Sequence, residues 1–143
     1  HALGQGMIGA TALSIAAAKA ALPFGQALIL GILANVLVCM AVWAALGARS
    51  VTDKVLVITP PIAAFVAAGF EHSVANMYFI PYGWLIRHGA DPAFWSMIGR
   101  APDQFAITLA DFVANIVPVT IGNFIGGAVL VGIMYWFIFL RRE

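Results

Sequence analysis

Charge is scarce in this chain: seven Lys or Arg and six Asp or Glu among 143 residues, 9% in all. A soluble domain carries about 25% charged residues, which cover its surface. Without that cover a soluble globular fold is excluded, and lipid is the solvent that fits. The formal net charge of +1 gives no field that attracts a polyanion. No Lys/Arg cluster interleaves with aromatics as a nucleic-acid groove requires, so nucleic acid is not an expected partner. The single cysteine, Cys39, excludes an internal disulfide. Set in an apolar run, it reads as a small packing residue. Catalytic patterns are missing too. Ser73 beside His72 is not a nucleophile–base pair, and no two carboxylates have a working spacing. Glu71-His72 lacks the second histidine of a zinc motif, and no Gly-rich phosphate loop follows a strand. No enzyme, metal or cofactor is therefore expected. An initiator Met and a signal-peptide n-region are also lacking. The chain opens at His1 inside an apolar stretch, residues 1–18, which predicts a fragment entered partway through a helix.

What is present is apolar: 63% hydrophobic residues and a mean hydropathy of +0.99. Charges punctuate this material into four stretches. The first ends at Lys19, before a break at Pro23 and Gly25. The second, residues 20–48, carries no charge. It is long enough to span a hydrocarbon core of about 30 Å at about 1.5 Å per residue. Arg49, Ser50, Thr52, Asp53 and Lys54 then form a short polar turn. The third stretch, residues 55–86, would be one long span, but Glu71, His72, Ser73 and Asn76 sit in its middle. Two half-helices around a polar break fit it better. Residues 87–111 are polar and carry Pro92, Gly99 and Pro102, which predicts a short helix or two at the membrane surface. The last stretch, residues 112–140, is expected to begin irregularly at Asn115 and Pro118 and to turn helical near Gly122. Tyr135, Trp136, Phe137 and Phe139 precede Arg141 and Arg142, an aromatic-then-basic boundary.

Loop charge predicts orientation. Arg49, Lys54 and the Arg141–Arg142 pair share one side, which reads as cytoplasmic. Residues 87–111, with three aspartates against two arginines, and Lys19 fall on the other. A lone lysine outside invites a functional reading.

Polar groups within a span cost about 2.5–3.5 kcal/mol each on insertion scales, so each needs a reason. An imidazole titrates near pH ~6.5. His72 is thus a hydrogen-bond donor or proton relay in a permeation path, or else a tie between helices. The break beside it favours the path, because irregular backbone at membrane depth is tolerated where it lines a cavity. Glu71 reads as a partner for backbone N–H groups freed by the break, with a second proton site as the other reading. Asn35, with Val38 one turn on, reads on spacing alone as glue between helices. Gly122 and Gly126 share a helix face and predict close backbone approach. His88 reads as an exposed loop residue.

Three strings now acquire weight together. Gly31-Ile32-Leu33-Ala34-Asn35-Val36-Leu37-Val38-Cys39 resembles the fourth-helix signature of the formate–nitrite transporter family. Gly69-Phe70-Glu71-His72-Ser73-Val74-Ala75-Asn76-Met77 looks like its fifth-helix signature. Pro118-Val119-Thr120-Ile121-Gly122-Asn123-Phe124-Ile125-Gly126-Gly127 is similar to the start of its sixth helix. Asp53-Lys54 and the run of the loops look most like the formate-channel branch. The resemblance implies an all-α membrane protein. It implies an aquaporin-like bundle of six helices per protomer, built from two inverted repeats with the second and fifth helices broken. Residues 1–143 would be a single transmembrane domain holding the end of helix three and helices four to six, about the second repeat. Another segment of the same protein would then complete the pore.

The resemblance further implies a homopentamer with a pore in each protomer. Each pore would transport formate and similar small monovalent anions across a bacterial inner membrane, passively or linked to protons. Nitrite and hydrosulfide are the alternative cargoes, and a membrane-embedded enzyme subunit is a remoter reading. Residue by residue, it matches His72 to the central pore histidine and Asn76 to the asparagine one turn on. Lys19 and Asn35 match the lysine and asparagine near the outer vestibule. Phe65 and Val38 match apolar constriction residues, and Glu71 the buried glutamate beside the histidine.

Overall fold

The computed structural model describes residues 3–141; His1, which opens the first apolar stretch, and Arg142 lie outside them. Among the described residues the regular structure is entirely helical. In chain order it comprises α1 (Met7–Ala20), α2 (Phe24–Leu46), α3 (Val51–Ala67), α4 (Ser73–Gly89), α5 (Pro92–Ile98), a 3-10 turn (Pro102–Gln104) and α6 (Leu109–Phe124). Two π-helical stretches follow, Ile125–Ile133 and Trp136–Leu140. Two segments, Phe24–Leu46 and Pro102–Leu140, are long and apolar enough to cross a membrane. By contrast, α3 and α4 have 17 residues each. At about 1.5 Å per residue that is about 25 Å, short of the ~30 Å of a hydrocarbon core. The third apolar stretch is thus two shorter helices, as the polar insertion predicts.

The chain divides into two compact units, one of residues up to Phe24 with Val74–Val117, the other of Gly25–Ser73 with residues from Pro118 on. The first unit is built on large apolar side chains. Leu13 and Ala16 of α1, Ile80 and Ile86 of α4, Phe94 of α5, and Phe105 and Ile107 form its core. Gly83 lets α4 approach α1, since a Cβ there would collide with that of Ala16. The polar segment is pinned locally. The Asp91 side chain caps α5 by accepting from Phe94 N at 2.8 Å, with Pro92 following it. Gly99 ends α5 in the left-handed region, at φ 63°. Arg87 donates to the carbonyls of Pro102 at 3.2 Å and Ile107 at 2.9 Å. Thr108 and Asp111 bond reciprocally and start α6.

The second unit reverses the usual size order. The buried positions of α2 are Ala27, Gly31, Ala34 and Ala41. Ile29, Leu33, Met40, Val42, Trp43 and Leu46 of the same helix are exposed. Small residues inward and large apolar ones outward is the arrangement of helices solvated by lipid tails. A Cβ at Gly122 would run into the carbonyl of Leu28, and one at Gly126 into that of Ile32. The close backbone approach predicted from these two glycines is therefore present. Trp43, Tyr135 and Phe139 pack as an aromatic cluster, with ring centroids 5.1–6.2 Å apart.

One expectation fails. The last stretch does not begin irregularly: α6 runs unbroken through Asn115 and Pro118. A proline withholds one N–H, which orphans only the carbonyl four residues back, and a packed helix tolerates that. Asn115 does not unwind its own backbone because its amide is engaged with other helices, as described next. The polar segment does hold a short helix, Pro92–Ile98, and a 3-10 turn, Pro102–Gln104.

Candidate functional site

Within the second unit, the break at residues 68–72 is a built structure. The helix α3 ends at Ala67, and Gly69 two residues on has a φ of +67°, which suits glycine. Phe70 N–H donates to Phe65 O at 3.0 Å and Gly69 N–H to Val66 O at 3.1 Å. That pair of bonds is the Schellman closure, which satisfies the last carbonyls of a helix. The chain then needs partners for three backbone groups before α4 begins. Glu71 N–H donates to Leu30 O of α2 at 3.3 Å. Asn123 supplies the rest from one amide. Its Oδ1 accepts from Ser73 N–H at 2.9 Å, and its Nδ2 donates to Glu71 O at 3.0 Å and Gly31 O at 2.8 Å. Asn123 of α6 thus accepts from the first N–H of α4.

His72 lies between the two backbone groups that Asn123 holds. Its ring is half-buried, with its centroid 6.2 Å from that of Phe65 in the last turns of α3. Glu71 is 3% exposed, deep enough to place its carboxyl inside the protein. Asn35 donates to Asn123 O at 2.6 Å, the helix-to-helix bond that its spacing suggests. Val38, one turn on, is half-buried, as is Cys39. The second unit therefore gathers His72, Phe65, Glu71 and Asn35 around the break, with Glu71 and Asn35 bonded to Asn123.

The first unit holds the other two candidates. Lys19 lies in the last turn of α1, its Nζ 5.8 Å from the ring centre of Phe79 on α4, a cation–π distance. Asn76 is fully buried on α4. Its Nδ2 donates to Asn115 Oδ1 at 2.7 Å, and Asn115 Nδ2 donates to Lys19 O at 2.9 Å. One buried asparagine of α6 thus joins the two. His88 is exposed at the end of α4, with Nδ1 2.9 Å from Trp84 O and its ring stacked on Trp84.

Two residues escaped the sequence reading as site elements. Asn115 was read as an irregularity and Asn123 as part of a packing string. The available signal was their burial cost: each is an amide in a stretch otherwise free of charge, and a buried amide must be bonded to something.

Residues 1–137 match the family model described as formate/nitrite transporter. The chain belongs to the formate/nitrite transporter family. Among relatives from this family, it is 49% identical over 141 residues to the formate channel FocA of Escherichia coli strain K12, covering 97% of this chain and 50% of that protein. To the formate channel FocB of the same strain it is 44% identical over 139 residues, covering 96% of this chain and 49% of that protein. A solved structure titled a pentameric formate channel with formate bound superposes with a TM-score of 0.92 at 43% identity. It covers 98% of this chain and 56% of that one. The chain spans about half the length of the curated relatives it matches. These named relatives in the formate/nitrite transporter family are channels, not enzymes.

Proposed function

We propose that the protein carrying this chain conducts formate and similar small monovalent anions across a bacterial inner membrane, passively or linked to protons. In this reading the chain is one multi-pass transmembrane domain, the end of helix three to helix six. It forms about the second inverted repeat of a six-helix, aquaporin-like protomer, and five protomers assemble with a pore in each. Kinship with two formate channels and with a pentameric formate channel supports it. The observation that carries it is the helix break at residues 68–72, closed on both sides, with an ionisable imidazole at its end. Such a break within an apolar span is tolerated where it borders a path.

The proposed roles follow from chemistry. Lys19 draws anions toward the mouth by its field, and Asn35 and Asn76 offer amide donors. Phe65 and Val38 form an apolar constriction that a bare ion crosses poorly. Formate is the anion of an acid with pKa about 4, close to a side-chain carboxyl. A proton from the water near His72, or from His72 itself, lets it cross the constriction neutral. Lower pH then favours uptake as formic acid. Glu71 serves the fold by anchoring the break.

The test is flux of isotopic formate into liposomes holding the full-length protein. The reading expects flux well above protein-free liposomes and a fall when Lys19, Asn35 or His72 is made apolar. Unchanged flux in all three variants would leave a structural subunit. Accumulation against a gradient under a proton gradient marks a carrier, and steady current without it marks a channel. Nitrite is the second cargo to assay, since the family takes its name from formate and nitrite.

A further inference from the structure

In the second unit, α2 and the closing stretches of the chain border a groove of about 270 Å³. Cys39, Trp43 and Leu46 line it from α2, and Gly127, Gly132 and Tyr135 from the other wall. None of its lining residues is charged. It exists because two glycines leave one wall bare. A Cβ at Gly132 would meet nothing nearer than Gly127 O at 3.4 Å, so there is room beside it. The groove lies on the outward face of α2, where Trp43 and Leu46 are exposed. That face turns large apolar residues toward lipid tails. Both walls end together. Trp43 packs against Tyr135 and Phe139, with ring centroids 6.2 and 6.0 Å away. Arg49 comes three residues after Leu46, and Arg141 follows Leu140 directly.

We propose that this groove seats an acyl chain of an anionic phospholipid whose phosphate meets Arg49 and Arg141. The inference needs the membrane setting of the chain and is independent of the cargo it carries. An aliphatic chain suits walls without charge, and Trp and Tyr are the residues that settle at headgroup level. The two arginines supply opposite charge where the headgroup begins. The Arg141 guanidinium lies 5.3 Å from the ring centre of Phe137, a neutral partner that leaves its charge for a phosphate. Lys54 adds a third positive charge in the first turn of α3. Asp53, the carboxylate beside it, accepts from Ser50 N–H at 3.0 Å. Each basic residue just past a span strengthens the hold on an anionic lipid by roughly fivefold.

The full-length protein in detergent is incubated with equal amounts of phosphatidylglycerol and phosphatidylcholine bearing the same chains, and the retained lipids are counted by native mass spectrometry. The anionic lipid is expected to be retained about twentyfold over the other. Arg49→Gln and Arg141→Gln should each cut that preference about fivefold. Gly132→Leu, which fills the groove, should lower retention of both lipids. Equal retention of the two lipids by the parent protein overturns the proposal. So does a preference that survives loss of both arginines, or retention that survives filling of the groove. A second measurement does not depend on the Gly132→Leu variant folding. Phosphatidylglycerol brominated along its tails should quench the fluorescence that Trp43 contributes, read as the difference between the parent and Trp43→Phe. Absence of that quenching means that another segment of the protein or a second copy covers the groove, which also overturns the proposal.

Discussion

The two units of this chain are held together by different physics. The first buries bulk: Leu13, Ile80, Phe94 and Ile107 fill its core. The second buries almost none on α2, where Ala27, Gly31, Ala34 and Ala41 face inward. There, backbone approach at Gly122 and Gly126 and the amide of Asn123 do the holding. One unit should thus suffer most when volume is removed, the other when volume is added or an amide is lost. Each unit also ties its candidate path residues to α6 through one asparagine, but to different ends. Asn123 holds the backbone around His72, whereas Asn115 holds a side chain and a helix end.

Four changes, in falling order of expected effect, break or sharpen this contrast. Phe94→Ala removes the largest fully buried side chain of the first unit and should destabilise by about 3–5 kcal/mol. Thermal unfolding of the full-length protein in detergent reads this, and a shift no larger than for an exposed site would refute the bulk-packed account. Asn123→Leu leaves Ser73 N–H, Glu71 O and Gly31 O without the amide that serves them, for about 3 kcal/mol. A melting curve like the parent's would show that the break closes without Asn123. Gly126→Val pushes a side chain against the Ile32 carbonyl and should lose about 1–3 kcal/mol. If an added side chain at this position were neutral, the close approach would not be holding the unit.

The smallest effect lies at the polar turn before α3. Ser50 and Asp53 cap that helix reciprocally, at 3.0 and 3.1 Å. The Ser50 hydroxyl, and then its backbone N–H, hold the Asp53 carboxyl below its usual value of 3.8. A lowered folded value means the stabilisation is complete above 3.8 and fades as acid titrates the folded carboxyl. Ser50→Ala should therefore cost slightly more at neutral pH than in strong acid, where only the bond from Asp53 N–H to the hydroxyl is lost. Melting temperatures compared across that range check the sign.

Much of this was legible in the residue pattern. Glu71, His72 and Ser73 in the middle of an apolar run announced the helix break, and Gly69 supplied its left-handed turn. Gly122 and Gly126 announced a close contact. Pro92 and Gly99 bounded a short helix. Two things were not legible. Asn115 and Pro118 look like helix breakers because local propensity disfavours both inside a helix, and only partners on α1 and α4 reveal why Asn115 sits there. The π-helical stretches Ile125–Ile133 and Trp136–Leu140 keep an apolar sequence that an α-helix would share, so composition does not separate the two. The chemistry of His72 was visible in its residue type. Its anchoring by Asn123, some fifty residues away, was not, because the bond is made to backbone.

The pH dependence of formate flux in liposomes, for the full-length protein and its His72→Phe variant, tests the central claim most directly. The account predicts that flux rises as the medium is acidified and the imidazole gains a proton, and that the phenylalanine variant loses this rise. An identical profile in both proteins would contradict it.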